Sequence, residues 1–322
     1  MKIRSTAVAA LAAAIVIAIA LAAVFSLRGS GSPAQGPVIL ISIDTLRADR
    51  LPAYGYTKVR TPAIDALAAD GVLFERAYAH VPQTLPAHAS ILTGLLPFEH
   101  GVRDNVGFAV KPDEPMLQHA FKEKGYATGG FVSAYVLRKE TGIGAGFDVY
   151  DSDFRSSSPE LSIGQVQRDG ADTLERAEAW LSRLDSSKFF LFLHLYEPHV
   201  PYRPPARFAS YAPYDGEIAY ADELVGRFIQ TLKDRNLYES STIVLLSDHG
   251  EGLGDHGELE HGLFIYDESI RIPFVVKPAK TGGFLGRFRS GGSGGRRVGK
   301  PVQQIDVAPT LGEAAGLTSP SS

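Results

Sequence analysis

Three short runs constrain this chain most: PVILISI at residues 37–43, FFLFLHL at 189–195 and TIVLLS at 242–247. A strand with one wet face alternates apolar and polar side chains. An unbroken apolar run of this length, rich in β-branched or aromatic residues, reads instead as a strand buried on both faces, as in a parallel sheet. Such strands require helices above and below, and the sequence between them supplies the pattern. Helical stretches are expected over residues 63–70, closed by Gly71, over 116–124, closed by Gly125, and over 218–232. Residues 169–184 form a further amphipathic helix with Leu174, Ala177, Trp180, Leu181 and Leu184 on one side. Residues 72–78, 126–133 and 273–276 are extended candidates. The alternation predicts an α/β fold with a mostly parallel central sheet and helices on both faces. Residues 142–153, rich in Gly and Asp, read as a surface excursion, and the Gly-rich, basic stretch at 286–300 as a mobile loop.

Each apolar run ends in residues able to hold a metal. The first ends in Asp44. The second contains His194 and is followed by Glu197 and His199, and the third is followed by Asp248 and His249. Ligands of open α/β sheets bind beyond the carboxyl ends of the strands, so these residues can meet there. His88, His194, His199, His249, His256 and His261, six of the nine histidines, lie in these stretches or beside them. Carboxylate and imidazole donors suit Zn²⁺, Mn²⁺, Mg²⁺ or Ca²⁺, and mixed Asp/His ligation leans toward Zn²⁺ or Mn²⁺. Several roles stay open at this point. His194 is either a satisfied core histidine or part of the site. Glu197 could join His199 and His261 at a second metal. Asp255 and His256 are functional or solvent-facing, His88 hydrogen-bonds near the nucleophile, and Arg47 ties the site together by pairing with carboxylates.

In VPQTLPAHASILTG, residues 81–94, Thr84 precedes a Pro that opens a short apolar run ending at Gly94. Pro near a helix start and Gly just past its end place the Thr84 hydroxyl at or just before a helix N-terminus, where free N–H groups favour an anion. Thr84 either caps that helix or serves as a metal-activated nucleophile toward a phosphorus or sulfur centre. The chain has no cysteine, which excludes disulfides, thiolate metal sites and any nucleophile made by oxidising a cysteine. A formal net charge of −4 and the lack of a basic stripe argue against a nucleic-acid partner.

The N-terminus carries Lys2 and Arg4 and then an apolar run, Ala7 to Leu27, broken only by Ser26. As a helix it would rise about 31 Å, enough to cross a bilayer, and the leading charge favours a cytoplasmic N-terminus. The expected organisation is a cytoplasmic tip and transmembrane signal anchor at 1–28, a flexible tether at 29–36, a catalytic domain at 37–317 and a polar tail at 318–322. A cleaved signal peptide is the alternative for the first segment. Either way, the rest of the chain would be exported, in the first case as a single-pass protein of the inner membrane.

Six segments, in order, resemble the sulfatase family of the alkaline phosphatase superfamily: ISIDTLRADRLPAYGY, TPAIDALAADGVLFERAYA, TLPAHASILTGLLPFEHGVRDN, LYEPHVPYRPP, YDGEIAYADELVGRFI and SDHGEGLGDHGELEHGLFIYDESIRIPFVV. The resemblance implies a sulfatase-like fold in which Asp44, Thr84, Asp248 and His249 surround a divalent metal. It further implies that Thr84 is the nucleophile and that His199 and His261 contact the substrate anion. The departures are informative. Family members that cleave sulfate have Cys or Ser at the nucleophile and convert it to formylglycine, which Thr84 cannot become. His88 stands where they have an arginine, and Thr45 replaces the second of two adjacent carboxylates. A Thr nucleophile resembles instead the phosphodiesterases and phosphoryl transferases of the superfamily. The expected activity is therefore metal-dependent hydrolysis of a phosphate or sulfate ester through a covalent Thr84 intermediate. A second metal is possible, and the anionic substrate could be an envelope lipid or glycan. The alternatives are an envelope phosphoryl-group transferase, a sulfuric ester hydrolase and a non-catalytic envelope binding protein.

Overall fold

A computed structural model of the chain describes residues 36–154, 166–280 and 295–317. The apolar run at 7–27, nearly all of the tether and the tail from 318 lie outside the described residues. Among the described residues no helix is long and apolar enough to cross a membrane.

The strands are β1 (Val38–Ile43), β2 (Val72–Phe74), β3 (Ala77–Tyr78), β4 (Ala127–Phe131), β5 (Val149–Asp151), β6 (Phe189–Leu195), β7 (Thr242–Ser247), β8 (Arg271–Ile272), β9 (Phe274–Lys277), β10 (Arg296–Val298) and β11 (Val302–Gln303). The main sheet runs β10-β2-β9-β7-β1-β6-β4-β5, and a small one runs β11-β3-β8. The three apolar runs lie side by side: β1 pairs in parallel with β6 on one edge and β7 on the other. Ile43 is level with Leu195 and with Ser247, so the residues that follow all three strands emerge at one edge of the sheet. β9 is antiparallel to both β7 and β2, which makes the sheet mixed at that side.

The helices are α1 (Pro62–Ala69), α2 (Thr84–Thr93), α3 (Pro97–His100), α4 (Leu117–Glu123), α5 (Gly170–Ser182), α6 (Pro213–Asp234), α7 (Asp267–Ile270) and α8 (Val307–Ala315). The strand pleat sorts them into two layers. Ile39, Ile41 and Ile43 face a core shared with α1, α5 and α6, where Ile64, Leu174, Leu181, Ile218 and Phe228 are buried. Val38 and Leu40 face the opposite core, with Leu85 and Ile91 of α2, Phe121 of α4 and Leu311 of α8. Every residue of α2 is buried, so that helix has no polar face to present.

Three expectations change. Residues 149–151, within the supposed surface excursion, form the edge strand β5 against β4. Residues 296–298, expected in a loop, form β10 beside β2, anchored by Arg297 on Glu75 and on the Ala53 carbonyl; residues 286–294 lie outside the described residues. The helix expected from 218 begins at Pro213. Its first turns bury Asp215 and Glu217, polar residues that mask the apolar period.

Asp222 of α6 accepts hydrogen bonds from Ala63 N–H (3.2 Å) and Ile64 N–H (2.8 Å) at the start of α1. Burial nevertheless pushes its carboxyl up to about 7. A folded pKa above the unfolded one means that the folded state binds more protons between the two. The stabilisation is therefore full below the unfolded value and is lost as pH rises toward 7. Asp222→Asn keeps an acceptor without the charge, so it should stabilise the protein by about 1–3 kcal/mol at pH 8 and less near pH 5. Thermal melts of both proteins across that range test this; a pH-independent difference would rule it out.

Candidate active site

The residues beyond β1 and β7 meet the start of α2. Asp44 follows β1, while Asp248 and His249 follow β7. One ligating atom from each of these three lies within 4.8 Å of the others, and all three residues are wholly buried. Asp44 Oδ1 and Oδ2 and Asp248 Oδ2 have no hydrogen-bond partner. His249 Nδ1–H donates to the Gly250 carbonyl (2.9 Å), which leaves the Nε2 lone pair free; Nε2 lies 3.8 Å from Asp44 and 3.4 Å from Asp248. Burial, reinforced by the charges of Asp248 and Glu251, raises the Asp44 carboxyl well above its usual range. Burial holds His249 far below the usual histidine value, so it stays neutral. Unpartnered carboxylate oxygens facing a free imidazole nitrogen fit a divalent cation, because such groups are costly to bury without one.

The scaffold around them is tied by hydrogen bonds. Asp248 Oδ1 accepts from Thr45 N–H (3.2 Å) and from His249 N–H (2.9 Å). Ser247 Oγ accepts from Leu46 N–H (2.9 Å), and its hydroxyl reaches the Ile43 carbonyl (2.6 Å). Gln304 Nε2 donates to the Asp248 carbonyl. Gly250 is required where it stands, since a Cβ there would lie 1.8 Å from the Glu268 carbonyl oxygen. Arg47 bridges Asp49 and Asp255 (2.8 Å each) and reaches the Glu251 carbonyl, the carboxylate-tying role expected of it.

Thr84 is the first residue of α2, following the cap residue Gln83, so it does not cap the helix. Its Oγ1 lies 3.4 Å from His249 Nε2. His88, one turn on, donates Nδ1–H to the Thr84 carbonyl (2.7 Å) and accepts at Nε2 from the Ser42 hydroxyl (2.9 Å). His194 receives the Ser133 N–H at Nδ1 (3.4 Å), which leaves the proton on Nε2, 3.4 Å from Asp44 Oδ2. Although His88, His194 and Asp248 lie close enough to share a metal, these hydrogen bonds occupy both nitrogens of His88 and one of His194. His194 is a core histidine that edges the site.

His261 and His199 line the outer side. The His261 ring lies 4.4 Å from that of His249 and 5.1 Å from that of His199. Glu251 Oε1 accepts from His261 Nδ1 (3.1 Å), and Glu251 Oε2 accepts from the Tyr202 hydroxyl (2.9 Å). Burial alone would lower the His261 pKa, but the hydrogen bond and charge of Glu251 outweigh it and raise the value. His199 stacks on Tyr196 (4.3 Å) and donates Nδ1–H to the Val200 carbonyl. Burial, and then the nearby His261, push His199 down to about 4. Glu197 does not join these histidines. It turns toward the start of α5, where it accepts from Gly170 N–H (2.9 Å). Among the described residues, no metal-sized group includes His199 or His261. His256 stays at the surface, paired with Glu268 (2.5 Å).

A family model described as Sulfatase matches residues 37–317. The arylsulfatase of Clostridium perfringens is 24% identical over 376 residues, covering 88% of this chain and 76% of that protein. The multifunctional alkaline phosphatase superfamily protein PehA of Trinickia caryophylli is 25% identical over 392 residues, covering 88% and 74%. The crystal structure of the phosphonate monoester hydrolase of Agrobacterium radiobacter superposes with a TM-score of 0.74 at 24% identity, covering 88% of this chain and 74% of that one.

Proposed function

This chain belongs to the sulfatase family and is an ester hydrolase of the sulfatase/alkaline phosphatase superfamily, and we propose that it cleaves a phosphate ester with Thr84 as nucleophile. The observation that carries this is the Thr84 hydroxyl at the start of α2, 3.4 Å from His249 Nε2 and beside the unpartnered oxygens of Asp44 and Asp248. Asp44, Asp248 and His249 would hold a divalent ion beside Thr84 Oγ1, and its charge would ease ionisation of the hydroxyl and offset the negative charge of the ester. Zn²⁺ or Mn²⁺ suits these donors better than Mg²⁺ or Ca²⁺.

Thr84 Oγ, having released its proton to solvent, bonds to phosphorus as the bond to the departing alcohol breaks. His261, whose pKa Glu251 raises, would give its proton, when it carries one, to the departing oxygen. Among the described residues His199 Nε2 has no hydrogen-bond partner, and it is available to a second ester oxygen. In the second step the attacking water cleaves the Thr84–phosphate bond and supplies the proton that restores the Thr84 hydroxyl. A lipid or glycan hydroxyl in place of that water would make the protein a transferase. The absence of cysteine and the threonine at position 84 favour phosphorus over sulfur. A sulfuric ester is the alternative substrate, favoured by relatives named arylsulfatase and iduronate 2-sulfatase. The apolar run after Lys2 and Arg4 supports a membrane-tethered enzyme with an exported catalytic domain. Protease protection of that domain in intact cells, lost on breaking the envelope, would support it, and a freely soluble cytoplasmic protein would exclude it.

The deciding experiment compares aryl phosphate monoester, diester, phosphonate and sulfate, each with chelator and with Zn²⁺ or Mn²⁺ restored. The expected result is metal-dependent turnover, faster for a phosphorus ester than for the sulfate. A clear preference for sulfate would overturn the substrate assignment.

A further inference from the structure

A cavity of about 590 Å³ opens beside the reaction site and is walled on one side by His199 and Tyr196. That volume falls within the range of small-molecule pockets. His199 links it to the reaction site: its ring lies 5.1 Å from that of His261, which lies 4.4 Å from that of His249.

Its other walls are unusual in charge. Asp169, Glu197 and Glu217 line it, against one guanidinium, that of Arg203. The carboxyls receive hydrogen bonds from neutral donors alone: Asp169 from Ala171 N–H and the Tyr220 hydroxyl, Glu197 from Gly170 N–H, and Glu217 from Arg203 N–H. Among the described residues none of the three forms an ion pair. Glu197 is only 9% exposed, and its Oε2 has no hydrogen-bond donor at all. Burial pushes Glu197 up to about 8 and Glu217 up to about 7. A cation placed among these groups would meet little competing positive charge and would let Glu197 and Glu217 ionise, releasing protons as it bound.

We propose that this cavity is a subsite for a positively charged ammonium group carried on one alcohol arm of the ester substrate, held by Glu197, Glu217 and Asp169 while His199 and His261 hold the ester anion. The proposal rests on the phosphate-ester function above and adds to it the charge of the substrate's other end. An anion held on one side of His199 and a cation held among the carboxyls on the other define a zwitterionic substrate.

Two p-nitrophenyl phosphodiesters of equal shape test it in the full-length, metal-loaded enzyme. One carries choline and the other its neutral carbon isostere, 3,3-dimethylbutanol. The trimethylammonium of choline has no N–H to donate, so its gain comes from attraction to the carboxylates and contact with Tyr196 and Tyr220, and kcat/KM should favour the choline ester by about 10–100-fold. Glu217→Gln keeps the acceptor for Arg203 N–H and should shrink that preference about tenfold while leaving turnover of the neutral ester unchanged. Glu197→Gln should act in the same direction. Calorimetric titration with choline alone, which requires no turnover, should show binding, and dimethylbutanol should show none. Equal rates for the two esters, or a preference unmoved in both variants, would overturn the subsite. If neither ester is cleaved, the phosphodiester reaction fails, and the choline titration alone decides the cavity: binding sustains the subsite and its absence removes it.

Discussion

Thr84→Ala should lower turnover by at least about a thousandfold, while Thr84→Ser should keep a substantial part of it. Thr84 is buried at the start of α2, and its Oγ1 is the hydroxyl oxygen placed 3.4 Å from His249 Nε2. Ala removes that oxygen together with the small γ-methyl group. It is a good helix former, and residue 84 lies inside the helix rather than at its cap position, so little stability should be lost. The clamp of His88 on residue 84 uses the backbone carbonyl and survives the substitution. Steady-state rates with a circular dichroism melt separate catalytic loss from unfolding. Mass spectrometry of acid-quenched wild-type enzyme should also find a phosphoryl group on Thr84. Full activity in Thr84→Ala would transfer the attack to water and end the covalent mechanism.

Asp44→Asn should abolish activity and yet make the metal-free protein more stable, by about 1–3 kcal/mol. Both Asp44 oxygens are buried and neither accepts a hydrogen bond, His194 Nε2 standing 3.4 Å from Oδ2; burial, with the charges of Asp248 and Glu251, disfavours the ionised carboxyl. The pKa is raised in the fold, so at neutral pH the folded state bears a cost that the unfolded chain escapes. An amide bears no charge and its NH₂ can donate to the facing oxygen of Asp248. Added Zn²⁺ or Mn²⁺ should reverse the ranking: binding to the native state alone stabilises the wild-type protein by mass action, and the variant lacks a ligand. Melting curves with chelator and with each ion test both halves. If Asp44→Asn melts below the wild type in chelator, Asp44 has a structural role that the unpartnered oxygens do not suggest.

The parts of the site legible in the sequence were those announced by local chemistry. β6 and β7 match the apolar runs residue for residue, because a strand buried on both faces leaves an unbroken apolar signature. Asp44, Asp248 and His249 follow from such runs, since the ends of adjacent parallel strands share an edge. Glu251 was within reach: it lies two residues past His249, and an acid buried in that turn needs a partner, which His261 supplies. Other residues left no local trace. Gln304 reaches the Asp248 carbonyl from a separate part of the chain, and the Tyr214 hydroxyl joins Thr45 and Arg47 from the first turn of α6. Their roles arise only from long-range packing. β5 and β10 were missed because edge strands of three residues carry too few side chains to show a period.

The position of β1 at the middle of the sheet has a consequence for how the molecule comes into being. It is the first strand of the domain to be synthesised, but its two hydrogen-bonding edges are filled by β6 and β7, made much later. Asp44 therefore waits in a nascent chain without its neighbours, and the trio that would hold an ion does not exist until His249 has been made. Pairings this distant are slow to form. A truncated or half-folded chain would lack this trio, and so would have no preformed site at which to trap metal or attack an ester.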